Sequence, residues 1–539
     1  MNPLKAATGG LANKAFELKT LHQAGVLGGM RPQDLPVAAS ALIQGGTTPA
    51  SAIRIAARKH AGKEFIVDDR GSLTFDEVHR RTNSLARAFA GLGIGPGDGI
   101  AVMCRNHRGF IESNLAGSKL GATVLFLNTM FSGPQLAEVV EREGAKLLVL
   151  DQEFETLLSG VDPRVGRACG YETEAGTSGL PTLDDLIASN PDDDLPWPSE
   201  KARNIILTSG TTGTPKGAQR SAPKGLGVMV GLLDRIPHRP GETMVIPSPL
   251  FHSWGFINSV IGLSVGARQV LQHRFDPAGA MELVDEYDAD VLVAVPVMLQ
   301  RILELDPEVS KDFRAKNLKI VTLSGSALPG GLATEWMDRY GDNIYNLYGS
   351  TEVSFGSIAT PEDLRADPAT AGRPPYGTTV RLVDEEGVEV SPGETGRIFV
   401  SNQLTFDGYT GGSNKEYLEG FISSGDIGHF DSEGQLFIDG RDDEMIISGG
   451  ENVFPAEVED LITGHEEVVE AAVVGVEDEK FGQALRAYVV LRQSDALGET
   501  EIRAYVKTNL ASYKAPRDVV FLTELPRNAT GKILKRSLE

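Results

Sequence analysis

The chain has 539 residues, 41% of them hydrophobic, which is length for about three or four domain-sized units and ample material for their cores. Its net charge of −23 argues against a general nucleic-acid or anionic-membrane binder, so any anionic ligand must meet locally gathered Lys and Arg. Two cysteines, Cys104 and Cys169, are too few for a disulfide framework or a zinc cluster, and the nine histidines show no HExxH spacing.

Residues 1–45 are rich in Gly and Ala with weak periodicity, and read as a peripheral extension. They lack the continuous apolar run of a signal peptide, and no stretch of the chain approaches ~18 uninterrupted apolar residues. The expectation is a cytoplasmic protein without a transmembrane segment; contact with a membrane surface and homodimer formation are left open.

From about residue 64 the pattern sharpens. "EFIVDD" reads as a strand and "TFDEVHRRTNSLARAFAGLG" as a helix, with Thr74 and Glu77 as a capping-box pair and Val78, Leu85, Phe89 and Leu92 at helical spacing. Strands at "IAVMC", "ATVLFLN" and "KLLVLD" then alternate with helices at "FIESNLAGSKLG" and "PQLAEVVEREGA", which predicts parallel sheet. A second such series carries strands at "TMVIP", "RQVLQH", "DVLVAVP", "LKIVTLSG" and "IYNLYG". No GxGxxG stands at a strand–helix turn, so a dinucleotide fold is not indicated. Between about Thr378 and Ile438 the texture changes to short strands and Gly turns, a β-rich lobe. After Arg441 a smaller α+β unit begins, with strands at "VVEAAVVGVED" and "ALRAYVVL" and a helix at "TEIRAYVKTNL".

Between the two series lies "LTSGTTGTPKGAQR", Leu207 to Arg220. Gly lets backbone approach an anion, hydroxyls and N–H groups donate to phosphate oxygens, and Lys adds charge. The Walker spacing fails, because Lys216 follows Pro215 and Gly217 stands where Ser or Thr would hold magnesium. The stretch reads as a phosphate loop of another kind, with a plain Gly/Thr surface loop as the alternative.

Five stretches occur in order: "TSGTTGTPKG", "PLFHSWGF", "YGSTE", "SSGDIG…GRDDEMIISGGENVFPAEVE" and "PRNATGKILKR". With them the sequence resembles the acyl-adenylate-forming superfamily of acyl-CoA synthetases, luciferases and carrier-loading adenylation domains, from about residue 50 onward. The resemblance implies an α/β fold: two α/β lobes and a β-rich lobe in an adenylation domain spanning 46–441, then a small mobile α+β domain over 442–539. It implies ATP, Mg²⁺ and CoA as ligands. Thr208, Ser209, Gly210, Thr211, Thr212, Gly213 and Lys216 would hold the phosphates, with Thr208 also on magnesium. Gly325, Ser326 and Ala327 would edge the adenine and Tyr348, beside Gly349, would stack on it. Thr351 would contact the α-phosphate and Glu352 ligate Mg²⁺. Asp426 would hold the ribose hydroxyls, with Arg441 as a second contact; the family more often has Thr where Ser424 stands. Asp443 matches the hinge, with Glu444 where a second Asp is common. Ser448, Gly449 and Gly450 would face the pantetheine arm of CoA. Lys532 would be the catalytic lysine and His252 a gate between ATP and acyl pockets.

The implied reaction joins a carboxylic acid to CoA through an acyl-adenylate, releasing pyrophosphate and AMP. A fatty acid is the expected acid, on overall similarity to bacterial fatty-acid ligases and on Gly255, Ile257, Val260 and Gly262 as a tunnel lining. An aryl or other cyclic acid, or a carrier protein as acceptor, uses the same motifs. A nucleotide-binding regulator is the reading from another class, and the intact Glu352, Asp426, Arg441 and Lys532 argue against it.

Overall fold

The computed structural model describes residues 3–208, 216–220, 225–404, 406–410, 412, 414–442, 446–448, 451–478, 482–493, 496–510, 514–528 and 531–538. Four sheets organise the described residues, two of them mostly parallel and flanked by helices. The expected α/β class is what forms.

The larger sheet has eight strands. Its parallel run goes Ile344–Tyr348, Ile320–Leu323, Val291–Ala294, Thr243–Ile246, Arg268–Leu271 and Glu64–Asp68. All four residues of Val291–Ala294 are buried, as expected of a strand covered on both faces. The second sheet has seven strands, in the order Phe406–Tyr409, Lys216–Arg220, Arg203–Thr208, Thr123–Phe126, Gly99–Met103, Ala145–Asp151 and Gly166–Tyr171. The two α/β series are therefore interleaved: Glu64–Asp68, from the first, pairs with Arg268–Leu271 of the second.

Local signals set the elements. The helix Phe75–Gly91 starts at the expected capping box, where the Glu77 N–H donates to Thr74 Oγ1 (3.2 Å) and the Thr74 N–H to Glu77 Oε2 (2.7 Å). The β-rich lobe forms a five-stranded sheet that includes Gly396–Ser401, Phe421–Phe430 and Leu436–Arg441. The C-terminal unit builds its own five-stranded sheet around Val468–Asp478 and Gly482–Leu491, with a separate core including Val458, Val473, Ala487 and Ile502.

The N-terminal segment is largely helical, from Pro3–Gln23 through Leu35–Ser40. Leu21 and Ala24 are buried in the same apolar cluster as the large sheet. Phe16 packs on the Tyr376 ring with centroids 5.0 Å apart, and the Tyr376 hydroxyl donates to Glu17 (3.0 Å). Among the described residues, no helix is long and apolar enough to cross a membrane.

Candidate active site

Parallel strands place their C-terminal ends side by side, and loops leaving those ends share one crevice. Leu323 pairs with Asn346, so the turn after Ile320–Leu323 and the turn after Ile344–Tyr348 emerge together. The first carries Gly325, Ser326 and Ala327; the second carries Gly349, Thr351 and Glu352. Ser324 ties them by donating to the Leu347 carbonyl (2.9 Å). Gly325 has φ +96°, a left-handed conformation that suits glycine. Gly349 is required for space, since a Cβ there would lie 2.1 Å from the Ser354 carbonyl oxygen.

The β-rich sheet brings a second set. Asp426 and Arg441 are directly paired across adjacent strands, with Arg441 Nη1 3.5 Å from Asp426 Oδ1. The Tyr348 hydroxyl donates to Asp426 Oδ2 at 2.6 Å, joining the two sheets. Burial raises the Asp426 pKa, opposed by the Tyr348 hydrogen bond and the charge of Arg441. Burial, then the Asp426 charge, holds the Tyr348 phenol well above its ordinary value. Ser424 supports the same turn through its hydroxyl, which accepts from the Asp426 N–H (3.0 Å) and donates to the Ile398 carbonyl (3.2 Å).

Glu352 is held from a third direction. Its Oε2 accepts from Ser350 Oγ (2.8 Å) and its Oε1 from the Tyr409 hydroxyl (2.5 Å). Burial and the neighbouring carboxylate push the Tyr409 phenol up, so it stays a donor. Lys216 Nζ lies 5.4 Å from the centre of the Tyr409 ring. Tyr409 is a site residue that the motif reading missed. Its signal is register, because Tyr409 pairs with Ala218, two residues beyond Lys216.

On either side of the expected phosphate loop the strands are antiparallel, with Thr208 paired to Lys216. Ser209, Gly210, Thr211, Thr212 and Gly213 lie outside the described residues, as do Asp443 and Glu444, where the hinge is expected, and the pair Gly449 and Gly450. Ser448 ends the strand Ile446–Ser448 and pairs with Glu451.

His252 stands at the N-cap position of the helix Ser253–Val265 without a side-chain capping bond, and the helix start brings Ser253 Oγ within 3.5 Å of Thr351 Oγ1. Burial lowers the His252 pKa to about 4, and its buried Nε2 has no hydrogen-bond partner among the described residues. The tunnel expected along this helix is corrected in part. A Cβ at Gly255 would lie 2.4 Å from the Pro249 carbonyl oxygen, and one at Gly262 would lie 2.8 Å from Met244 Sδ. Those glycines allow close packing rather than open a channel.

Lys532 comes from the C-terminal unit. Its N–H donates to Asn528 Oδ1 and its carbonyl accepts from the Asn528 N–H, both at 2.9 Å. Gly531, at φ +80°, lodges against Val297 of the large region, and the Lys532 charge is felt at Asp426. A cavity of about 290 Å³ lies beside this contact, lined by Phe251, Val297 and Asn528 together with Arg105, Arg301 and Arg527.

The chain matches the AMP-binding enzyme family over residues 53–410 and the AMP-binding enzyme C-terminal domain over 457–532. It is 32% identical over 479 residues to 2-succinylbenzoate–CoA ligase of Geobacillus kaustophilus, covering 88% of this chain and 94% of that protein. Against feruloyl-CoA synthase of an Amycolatopsis species it is 32% identical over 470 residues, 86% of this chain and 93% of the relative. A fatty acid–acyl-carrier-protein ligase of Streptomyces coeruleorubidus is 28% identical over 485 residues, covering 87% and 91%. The solved structure of o-succinylbenzoate CoA synthetase from Bacillus subtilis, in complex with its acyl-adenylate intermediate, superposes with a TM-score of 0.78 at 25% identity, covering 90% of this chain and 97% of that one. The crevice at the strand ends, the cross-sheet Tyr348–Asp426–Arg441 contact and the approach of Lys532 accompany these matches, and the chain belongs to the AMP-binding enzyme family, the adenylate-forming superfamily that includes the acyl-CoA synthetases.

Proposed function

We propose that the protein is an AMP-forming acid–CoA ligase acting on a hydrophobic carboxylic acid. The observation that carries this reading is the junction of three sources of charge: Asp426 with Arg441, Glu352 on its turn, and Lys532 from the C-terminal unit.

In this reading the ribose hydroxyls donate to Asp426, whose carboxylate Tyr348 and Arg441 hold in place. Tyr348 and the turn with Gly325, Ser326 and Ala327 flank the base. The acid's carboxylate attacks the α-phosphorus, the bond from that phosphorus to the α,β-bridging oxygen breaks, and pyrophosphate leaves with that oxygen. Lys532 and Thr351 stabilise charge on the α-phosphoryl oxygens, while Lys216 and the hydroxyls of its loop hold the departing pyrophosphate. Glu352, with Thr208, would hold a magnesium ion, and its carboxylate oxygens fit that hard cation. The ion would neutralise phosphate charge. In the second half-reaction the CoA thiol attacks the acyl carbonyl and AMP leaves; the arginine-lined cavity suits a polyanionic thiol carrier.

A fatty acid is the first reading of the acid, and one named relative acts on fatty acids. An aryl or cyclic acid is the second, supported by the named 2-succinylbenzoate and feruloyl ligases and by the closed packing at Gly255 and Gly262. A panel of decanoate, palmitate, ferulate and indoleacetate, assayed for AMP release with and without CoA, tests both. Acid-dependent AMP that rises with CoA supports the ligase reading, and the preferred acid sorts the two. Release of ADP, or AMP formation indifferent to CoA, would contradict it.

A further inference from the structure

Thr410 follows the strand Phe406–Tyr409, at the edge of the seven-stranded sheet, and meets Gly217 twice. Its N–H donates to the Gly217 carbonyl (2.8 Å), and its Oγ1 accepts from the Gly217 N–H (3.1 Å). The same hydroxyl donates to Glu143 Oε1 (2.5 Å). Glu143 is the C-cap residue of the helix Gly133–Arg142; its side chain is 5% exposed, and Arg142 Nη2 lies 2.8 Å from the same oxygen. A hydroxyl has one proton to give. Committed to the carboxylate, it turns a lone pair to the Gly217 N–H, so the rotor has one orientation. Glycine is what admits the hydroxyl: a Cβ at Gly217 would lie 2.7 Å from Thr410 Oγ1.

The Gly217 N–H belongs to the planar peptide that joins it to Lys216, so this contact fixes the plane from which the Lys216 side chain departs. Tyr409 and Thr410 thereby divide two tasks. Tyr409 holds Glu352, and Thr410 holds the Lys216–Gly217 peptide. Backbone pairing continues the ladder one step past Tyr409 and would do so with any residue at 410. The hydroxyl and the carboxylate behind it add a specific anchor, supplied from 267 residues earlier in the chain.

We propose that Thr410 and Glu143 are positioning residues for the β- and γ-phosphates of ATP, acting through the Lys216–Gly217 peptide. This rests on the reading in which Lys216 meets those phosphates. Neither residue touches the nucleotide. A cation stabilises phosphate oxygens only where it is held in register with them, and a displacement of about 1 Å is costly. A hydroxyl bound to a carboxylate makes one of the stronger hydrogen bonds in a protein, which suits an anchor at that point.

Equilibrium binding of ATP and of AMP, measured by calorimetry on the full chain with neither acid nor CoA present, tests this. Thr410→Val keeps the side-chain shape, removes the hydroxyl and strands the Gly217 N–H. It should weaken ATP about tenfold and leave AMP, which has no β- or γ-phosphate, within about twofold. Thr410→Ser keeps the hydroxyl and should bind both as the parent does. Glu143→Ala loosens the hydroxyl rotor without removing it and should weaken ATP about threefold. With Thr410→Val added, the loss should equal that of Thr410→Val alone, since both changes act through one chain of bonds. Equal weakening of ATP and AMP would make Thr410 a structural residue and overturn the proposal. Unchanged ATP affinity in Thr410→Val, or Thr410→Ser as weak as Thr410→Val, overturns it equally. Failure of the ligase reading shows instead in the acid panel, because this binding needs no acid and no CoA.

Discussion

The Tyr348 hydroxyl donates to Asp426 Oδ2 at 2.6 Å, across the gap between the eight-stranded sheet and the β-rich sheet. One hydrogen bond thus fixes both the aromatic face expected beside the base and the carboxylate expected beneath the sugar. A hydrogen bond to a charged group contributes about 1.5–3 kcal/mol. Tyr348→Phe should raise the KM for ATP about tenfold or more and leave the KM for the acid within about twofold. Equal effects on both would place Tyr348 outside the nucleotide site.

Tyr409 has no place in the motif set, yet its hydroxyl holds Glu352 Oε1. Removing the hydroxyl frees the carboxylate to rotate while leaving its charge. Tyr409→Phe should shift the magnesium titration of ATP-dependent activity about three- to tenfold upward, with a smaller change in kcat at saturating magnesium. Glu352→Gln, which removes the charge, should fail to recover at any magnesium concentration. An unshifted titration in both variants would remove Glu352 from a metal role.

Lys532 sits on a turn held by Asn528 and seated by Gly531 on Val297. A single electrostatic donor at a developing charge contributes about 3–4 kcal/mol. Lys532→Ala should slow acyl-AMP formation by about a hundred- to a thousandfold, while preformed acyl-AMP still reacts with CoA within about twofold of the parent rate. Equal loss in both half-reactions would give the lysine a structural role instead.

Two glycines separate space from conformation. A Cβ at Gly349 would lie 2.1 Å from the Ser354 carbonyl oxygen, whereas one at Gly331, inside the helix Gly330–Tyr340, meets nothing within 4 Å. Gly349→Ala should cost about 1–3 kcal/mol of stability together with activity. Gly331→Ala should be neutral or stabilise by up to about 1 kcal/mol. Urea unfolding of the pair checks this, and similar midpoints for both would contradict the close packing at Gly349.

Much of the site is legible in the sequence because it is built at strand ends. A continuous apolar run followed by Gly, Ser and Thr marks where a buried parallel strand meets the crevice, and "LKIVTLSG" and "IYNLYG" both read that way. Asp426 and Arg441 stand out only as members of an ordered set; that they face each other depends on hairpin register, which the chain spacing leaves open. Tyr409 is silent for the same reason, an aromatic residue on a short strand whose partner lies about 190 residues away, at Ala218. The pairing of Glu64–Asp68 with Arg268–Leu271 is likewise non-local. Small residues after His252 mislead because glycine serves close packing as readily as an open channel. The weak periodicity of residues 1–45 hides Leu21 and Ala24, which are buried, and a helix whose apolar side faces out.

The most direct test of adenylate formation is exchange of radiolabelled pyrophosphate into ATP in the absence of CoA. Reversible attack of the acid on the α-phosphorus predicts label in ATP that depends on a hydrophobic carboxylic acid, requires magnesium and is lost in Lys532→Ala. Exchange that proceeds without any acid, or no exchange with an acid that does support CoA-dependent AMP release, would contradict an acyl-adenylate intermediate in this protein.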